Sequence, residues 1–170
     1  MNLMPNVLTL LLKPGDPAPS FSFVSEGRKL ALSDFRGNFV VLYFYPRDDT
    51  PGCTKEACGF RDAMADFAQA GAIVIGVSAD SERSHARFRE KFGLPFHLAA
   101  DESKEIVRAY GVWGEKRFMG RKYQGIHRVT FLIGPEGGIR HIWTEVKPAD
   151  HAREVLAALG DLPRTPGLAG

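Results

Sequence analysis

Both cysteines of this 170-residue chain, Cys53 and Cys58, lie in the stretch PRDDTPGCTKEAC, five positions apart. Thiols can ligate a metal, staple a fold or carry redox chemistry, and the residues around them choose among these roles. Thr50 is a good N-cap, and Pro51 suits a first helical position, where its missing N–H is no loss. Gly52 and Cys53 then complete the first turn, so Cys53 takes the third helical position. Unpaired backbone N–H groups and the positive end of the helix dipole meet there and favour a thiolate. Cys53 is therefore expected to be a reactive sulfur.

Cys58 follows on the same expected helix. Five residues along a continuous helix separate two Cα atoms by roughly 8.6 Å, whereas a disulfide tolerates at most about 7 Å. The two thiols can coexist with an intact helix but cannot bond until its first turns unwind. Gly52 and Gly59 bracket the segment, and glycine weakens a helix by up to about 1 kcal/mol relative to alanine. A Cys-x-x-Cys pair would close without melting, and a four-ligand metal site would need two more Cys or His nearby, which this segment lacks. The spacing suits a cycle in which Cys53 reacts first with another molecule, the helix opens, and Cys58 captures the product. The bland alternative makes both thiols small buried hydrophobes; the capped helix start and the companion thiol argue against it.

The helix sits between two strands. FVVLYFY (39–45) is a continuous run of β-branched and aromatic residues, the mark of a strand buried on both faces, and AIVIGVS (72–78) repeats it. Between them Ala57, Phe60, Met64, Phe67 and Ala68 recur at helical spacing and Gly71 ends the pattern, which predicts one helix and a parallel strand pair. Upstream, FSFVSEGRKLAL reads as two short strands around Gly27. Downstream, helices are expected over 81–93, 103–111 and 149–160, and RVTFLIGPEGGIRHIWTEV reads as an antiparallel hairpin turning at 135–138. The sum is an α/β chain: a central mixed sheet flanked by helices with an N-terminal β-hairpin, the arrangement of the thioredoxin fold. Residues 1–13 read as an extension, 14–160 as one domain and 161–170 as a flexible tail.

Composition excludes several classes. Apolar residues make up 44 % and charged residues 25 %, which rules out disordered and fibrous chains. The formal net charge is +2 with the two signs interspersed, so neither nucleic acid nor a membrane surface is expected as a partner. The densest basic run, KRFMGRKY (116–123), reads as a solvated loop, with a docking surface for a partner as the alternative. The apolar run Val7 to Leu12 lacks a basic residue ahead of it and is too short for a secretory signal or a membrane span. A cytoplasmic protein is expected, and in a reducing cytosol paired cysteines point to redox or metal chemistry.

With these residues in hand, the chain resembles the peroxiredoxins. Pro46, Thr50 and Cys53 match their PxxxTxxC signature, and Cys58 matches the resolving cysteine of the bacterioferritin-comigratory, or peroxiredoxin Q, subgroup. The likeness continues through GVSADSERSHARFREKFGLPF, YGVWGEK, GIHRVTFLI and VKPADHAREVLAAL, over about residues 14 to 160. It implies a thiol-dependent peroxidase for hydrogen peroxide and organic hydroperoxides that needs no cofactor, is recycled by thioredoxin or a similar dithiol, and is a monomer. Cys53 would be the peroxidatic cysteine and Arg128 the catalytic arginine. The chemistry fits: a thiolate attacks one peroxide oxygen while charge develops on the other, and Arg128 offers two fixed donors and a permanent charge. The Thr50 hydroxyl and the backbone N–H of Cys53 can hold the peroxide, Pro46 shields the site from water, and Tyr45 and Gly52 are expected at the pocket.

Other residues are read more plainly. Glu56 is either an orienting partner for Arg128 or an exposed helix carboxylate. Arg128 begins a buried strand, where an arginine without a partner would be costly. His127 is expected to pack, Trp113 and Trp143 to fill core or pocket rim, and Asp48 and Asp49 to sit in solvent. The five histidines include no pair at helical i, i+4 spacing, and no metal is expected. Two other functions fit less well: a general disulfide oxidoreductase of thioredoxin type, against which the five-residue spacing speaks, and a redox-regulated holdase whose unwound helix uncovers apolar surface.

Overall fold

The computed structural model describes residues 8 and 10–162. Three strand groups form. A small hairpin pairs β1 (Ser22–Ser25) with β2 (Arg28–Ala31). The central sheet contains β3 (Phe39–Phe44), β4 (Ala72–Ser78), β5 (His97–Ala100), β8 (Val129–Ile133) and β9 (Ile139–Trp143) in the order β5-β4-β3-β8-β9. A separate two-stranded ribbon pairs β6 (Trp113–Phe118) with β7 (Arg121–Ile126). Within the central sheet β3–β4 and β4–β5 are parallel and β3–β8 and β8–β9 antiparallel. This is the mixed sheet expected of a thioredoxin-like fold.

β3 lies at the middle of the sheet and is buried along its whole length. Its alternation distributes side chains between two cores. Phe39, Val41, Tyr43 and Tyr45 face a cluster completed by α1 (Pro51–Asp62), α2 (Met64–Gln69), α3 (Glu82–Phe92) and α5 (His151–Gly160). Val40, Leu42 and Phe44 face a second cluster shared with β1 and with Ile106 and Val107 of α4 (Glu105–Ala109). Leu8, Leu10 and Leu12 of the expected N-terminal extension pack against this second cluster, and Leu162 packs against the first. The remainder of the extension and of the tail lies outside the described residues.

Three expectations need correction, and one strand is unanticipated. The helix after β3 is two, broken at Ala63, where the chain tightens as the Ala63 N–H bonds back to the Phe60 carbonyl at 3.2 Å. β5 follows Pro95 as a four-residue edge strand too short to announce itself. Residues 116–123 are no loop: they form most of the β6–β7 ribbon, with a turn through Met119 (φ 51°) and Gly120 (φ 80°). Arg128 precedes β8, in the two-residue link after β7.

Gly76 of β4 pairs with Tyr43 of β3, and a Cβ at this glycine would lie 2.8 Å from the Tyr43 ring. That ring is fully buried, stacks on Tyr45 and lies tilted against Phe60, so it has no room to retreat. Gly76→Ala is expected to destabilise the chain by about 1–3 kcal/mol through overpacking, read as a fall in the urea midpoint.

Candidate active site

α1 starts where the sequence places it. Thr50 is the N-cap, with extended backbone (φ −99°, ψ 157°), and Pro51 fills the first position. The cap is made by backbone alone: the Thr54 N–H donates to the Thr50 carbonyl at 2.8 Å, while the Thr50 hydroxyl donates to the Arg47 carbonyl at 3.0 Å. With its proton engaged in this way, the Thr50 oxygen keeps its lone pairs for an incoming O–H. Cys53, one turn in, is 1 % exposed, and Cys58 is half-buried. Both thiols are free on one unbroken helix.

Arg128 reaches across to α1. One terminal nitrogen donates to Cys53 Sγ at 3.4 Å and the other to Glu56 Oε1 at 2.6 Å. The fork thus bridges the thiol and a carboxylate one turn further along the same helix face. Gly52 permits this approach, since a Cβ there would stand 3.2 Å from the guanidinium nitrogen. Burial opposes the charge on Arg128, but Glu56 and Cys53 outweigh it and hold the guanidinium above its ordinary value. It stays cationic at any working pH.

Glu56 resolves the alternative left open by the sequence. Its side chain is fully buried, so it is Arg128's partner and no surface carboxylate. Its second oxygen has no hydrogen-bond partner, nor has the neighbouring Tyr43 hydroxyl. Burial raises the Glu56 carboxyl to about 7 against the pull of Arg128. A carboxyl that holds its proton more tightly in the folded chain adds stability below its ordinary value and loses it as pH rises through the folded value. Relative to Glu56→Gln, the wild-type chain is expected to lose on the order of 3 kcal/mol as pH climbs from 4.5 to about 7, and little beyond. Urea melts of both chains across this window check it; parallel curves would show Glu56 ionised throughout.

Two acidic residues part company. Asp49 is exposed and pairs with Lys91 at 2.8 Å. Asp48, expected in solvent, is 8 % exposed. Its carboxylate accepts from the Tyr45 hydroxyl (2.6 Å) and the Ser84 hydroxyl (2.8 Å) and meets His85 Nδ1 at 2.7 Å. Asp80 adds a bond from the Asp48 N–H at 2.9 Å. Asp48, Asp80 and His85 offer three ligand atoms within 4.8 Å of one another, and hydrogen bonds engage both oxygens of Asp48, one of Asp80 and both ring nitrogens of His85. The cluster clamps the loop before α1 onto α3, and through His85 Nε2 onto the Ala99 carbonyl of β5. Tyr45 belongs to this clamp. Expected at the pocket, it is instead 1 % exposed, because alternation along β3 turns it, like Tyr43, into the first core.

A groove of about 480 Å³ opens beside the helix start. Pro46, Arg47 and Thr50 form one wall and Trp113, Tyr123 and Ile126 the other. Lys116 also lines it, donating to the Ile126 carbonyl at 2.9 Å; burial, with Arg128 nearby, depresses its ammonium below the ordinary value. His127 packs as expected, with Nε2 3.0 Å from the Glu115 carbonyl. Trp143 lies in the core against His141 and His151.

Comparison with known proteins gives the family. The AhpC/TSA family matches residues 14–142. Putative peroxiredoxin bcp of Coxiella burnetii is 47 % identical over 87 % of this chain and 99 % of its own length. Peroxiredoxin Bcp of Bacillus subtilis is 44 % identical over 90 % of this chain and 98 % of its own. Among solved structures, the Xanthomonas campestris bacterioferritin comigratory protein, studied for alkyl peroxide reduction, superposes with a TM-score of 0.79 at 39 % identity, covering 93 % of this chain and 98 % of that one. A buried thiol on a capped helix, bridged by arginine to a carboxylate, thus sits in a chain that belongs to the AhpC/TSA family, within its Bcp/peroxiredoxin Q branch of thiol-dependent peroxidases.

Proposed function

We propose that Cys53 is the peroxidatic sulfur and Cys58 the resolving one, working in sequence on a single chain. The observation that carries this reading is the Arg128 guanidinium poised between Cys53 Sγ and Glu56. The Cys53 thiolate attacks the terminal oxygen of a hydroperoxide, the O–O bond breaks, and the leaving alkoxide or hydroxide takes a proton. Cys53 becomes a sulfenic acid. The first turns of α1 then unwind, and the Cys58 thiol condenses with the sulfenic acid, forming the disulfide and releasing water. A thioredoxin-like dithiol reduces the bridge by exchange. Thr50 and the Cys53 amide hold the peroxide, with Pro46, Gly52 and Arg128 around them. The groove's apolar wall of Trp113 and Ile126 leaves room for alkyl as well as hydrogen peroxide.

Because both thiols lie on one helix, no second subunit is needed, and the reading takes the chain as a monomer without cofactor or metal, acting in a reducing cytoplasm. No helix among the described residues is long and apolar enough to cross a membrane. The test is direct. Reduced protein given one equivalent of hydrogen peroxide is expected to lose two hydrogens and yield a single peptide pair bridged between residues 53 and 58. A sulfinic acid at Cys53 with no bridge, or bridges between chains, would refute the reading.

A further inference from the structure

The β6–β7 ribbon leaves the body of the molecule bearing features that the peroxidase chemistry does not use. At its tip Phe118 is 66 % and Met119 87 % exposed, the largest apolar exposures in the chain after Leu11 among the described residues. Met119 also holds a positive φ of 51°, a backbone region that suits glycine or asparagine at such a turn. Immediately behind the tip stand Arg117, Arg121 and Lys122, with Lys116 one residue further; Glu115 is the ribbon's only acid, 3.9 Å from Arg117. Tyr123, 46 % exposed and paired with Lys116, shares a face with Phe118.

The order matters. Met119 leads at the turn, Phe118 follows with Arg121 opposite it, Arg117 and Lys122 form the next pair about 3.3 Å behind, and Tyr123 with its polar tip comes after, opposite Lys116. That is the depth profile of a bilayer surface, from acyl chains through phosphates to the wet interface. A protein partner would ask for no such layering. We propose that the tip of this ribbon is a docking surface for an anionic lipid bilayer: Phe118 and Met119 enter the acyl boundary while Arg117, Arg121 and Lys122 meet lipid phosphates. The groove beside Thr50 has Lys116, Tyr123 and Ile126 of the same ribbon in its wall, so docking would hold its mouth near the membrane.

Flotation of the full, reduced chain with extruded vesicles tests this. Binding to equimolar phosphatidylglycerol and phosphatidylcholine is expected, falling to background on pure phosphatidylcholine or when salt is raised to ~1 M, where the Debye length is about 3 Å. Arg121→Ser with Lys122→Ser should weaken binding roughly tenfold to thirtyfold, and Phe118→Ser with Met119→Ser should abolish it, both at unchanged hydrogen peroxide turnover. Phe118→Trp should give emission quenched by brominated acyl chains, which surface adsorption alone would not. No binding to phosphatidylglycerol vesicles, binding indifferent to both double variants, or a ribbon that captures only an acidic dithiol protein would overturn the proposal. None of these outcomes touches the roles of Cys53 and Cys58.

Discussion

The Cys53→Ser chain is expected to consume no peroxide, while Cys58→Ser consumes about one equivalent in a fast first phase and then does not turn over. Serine keeps the shape of the site, but its hydroxyl stays protonated at neutral pH, and Arg128 then faces no anion to hold. Cys58→Ser leaves the helix start, Arg128 and Glu56 in place, so the first oxidation should run at the wild-type rate. What it loses is the capture step. Its sulfenic acid has no thiol to meet, and excess peroxide should carry Cys53 on to the sulfinic acid, read by mass as one further oxygen. Stopped-flow traces of the two variants separate the steps. Equal loss in both would show that the thiols act together and sink the sequential order.

Arg128→Ala is expected to lower the second-order rate constant for peroxide by about 10²–10³, the usual effect of removing a preorganised donor from developing charge. Arg128→Lys should recover little, because one ammonium cannot bridge Cys53 Sγ and Glu56 Oε1 as the fork does. The alanine variant also leaves Glu56 buried without a cation. A buried carboxylate stripped of its partner destabilises a fold by several kcal/mol unless it takes up a proton. The variant should therefore melt close to wild type in acid and progressively lower as pH rises past 7. A rate fall without this pH-dependent loss of stability would separate Arg128 from Glu56.

How far the sequence reveals the site depends on the kind of signal. The apolar runs of β3 and β4 and the Thr-Pro cap of α1 are local, and the structure has them where the residues say. The burial of Glu56 is legible in hindsight: Cys53, Glu56, Ala57 and Phe60 form one helical stripe at i, i+3, i+4 and i+7, all buried. A carboxylate on that stripe needs a cation across the cleft, but which cation is set by topology. Tyr45 misleads because it follows the last residue of β3, where alternation along the strand, and not proximity to Pro46, decides its direction. Asp48 is drawn inward by partners 36 and 37 residues away, which no window of sequence displays. The ribbon is polar along most of its length and turns at Met-Gly, so neither alternation nor a familiar turn dipeptide marks it.

The placement of both sulfurs on α1 has a further consequence. On the proposed cycle, the coil that primes Cys53 is the same coil that must be surrendered for Cys58 to reach it, so one molecule could not be armed and bridged at once. Every oxidised copy would then drop out of service until a reductant calls on it. Under sustained oxidant the working fraction is then metered by the supply of electrons, and adding peroxide beyond that supply gains no throughput.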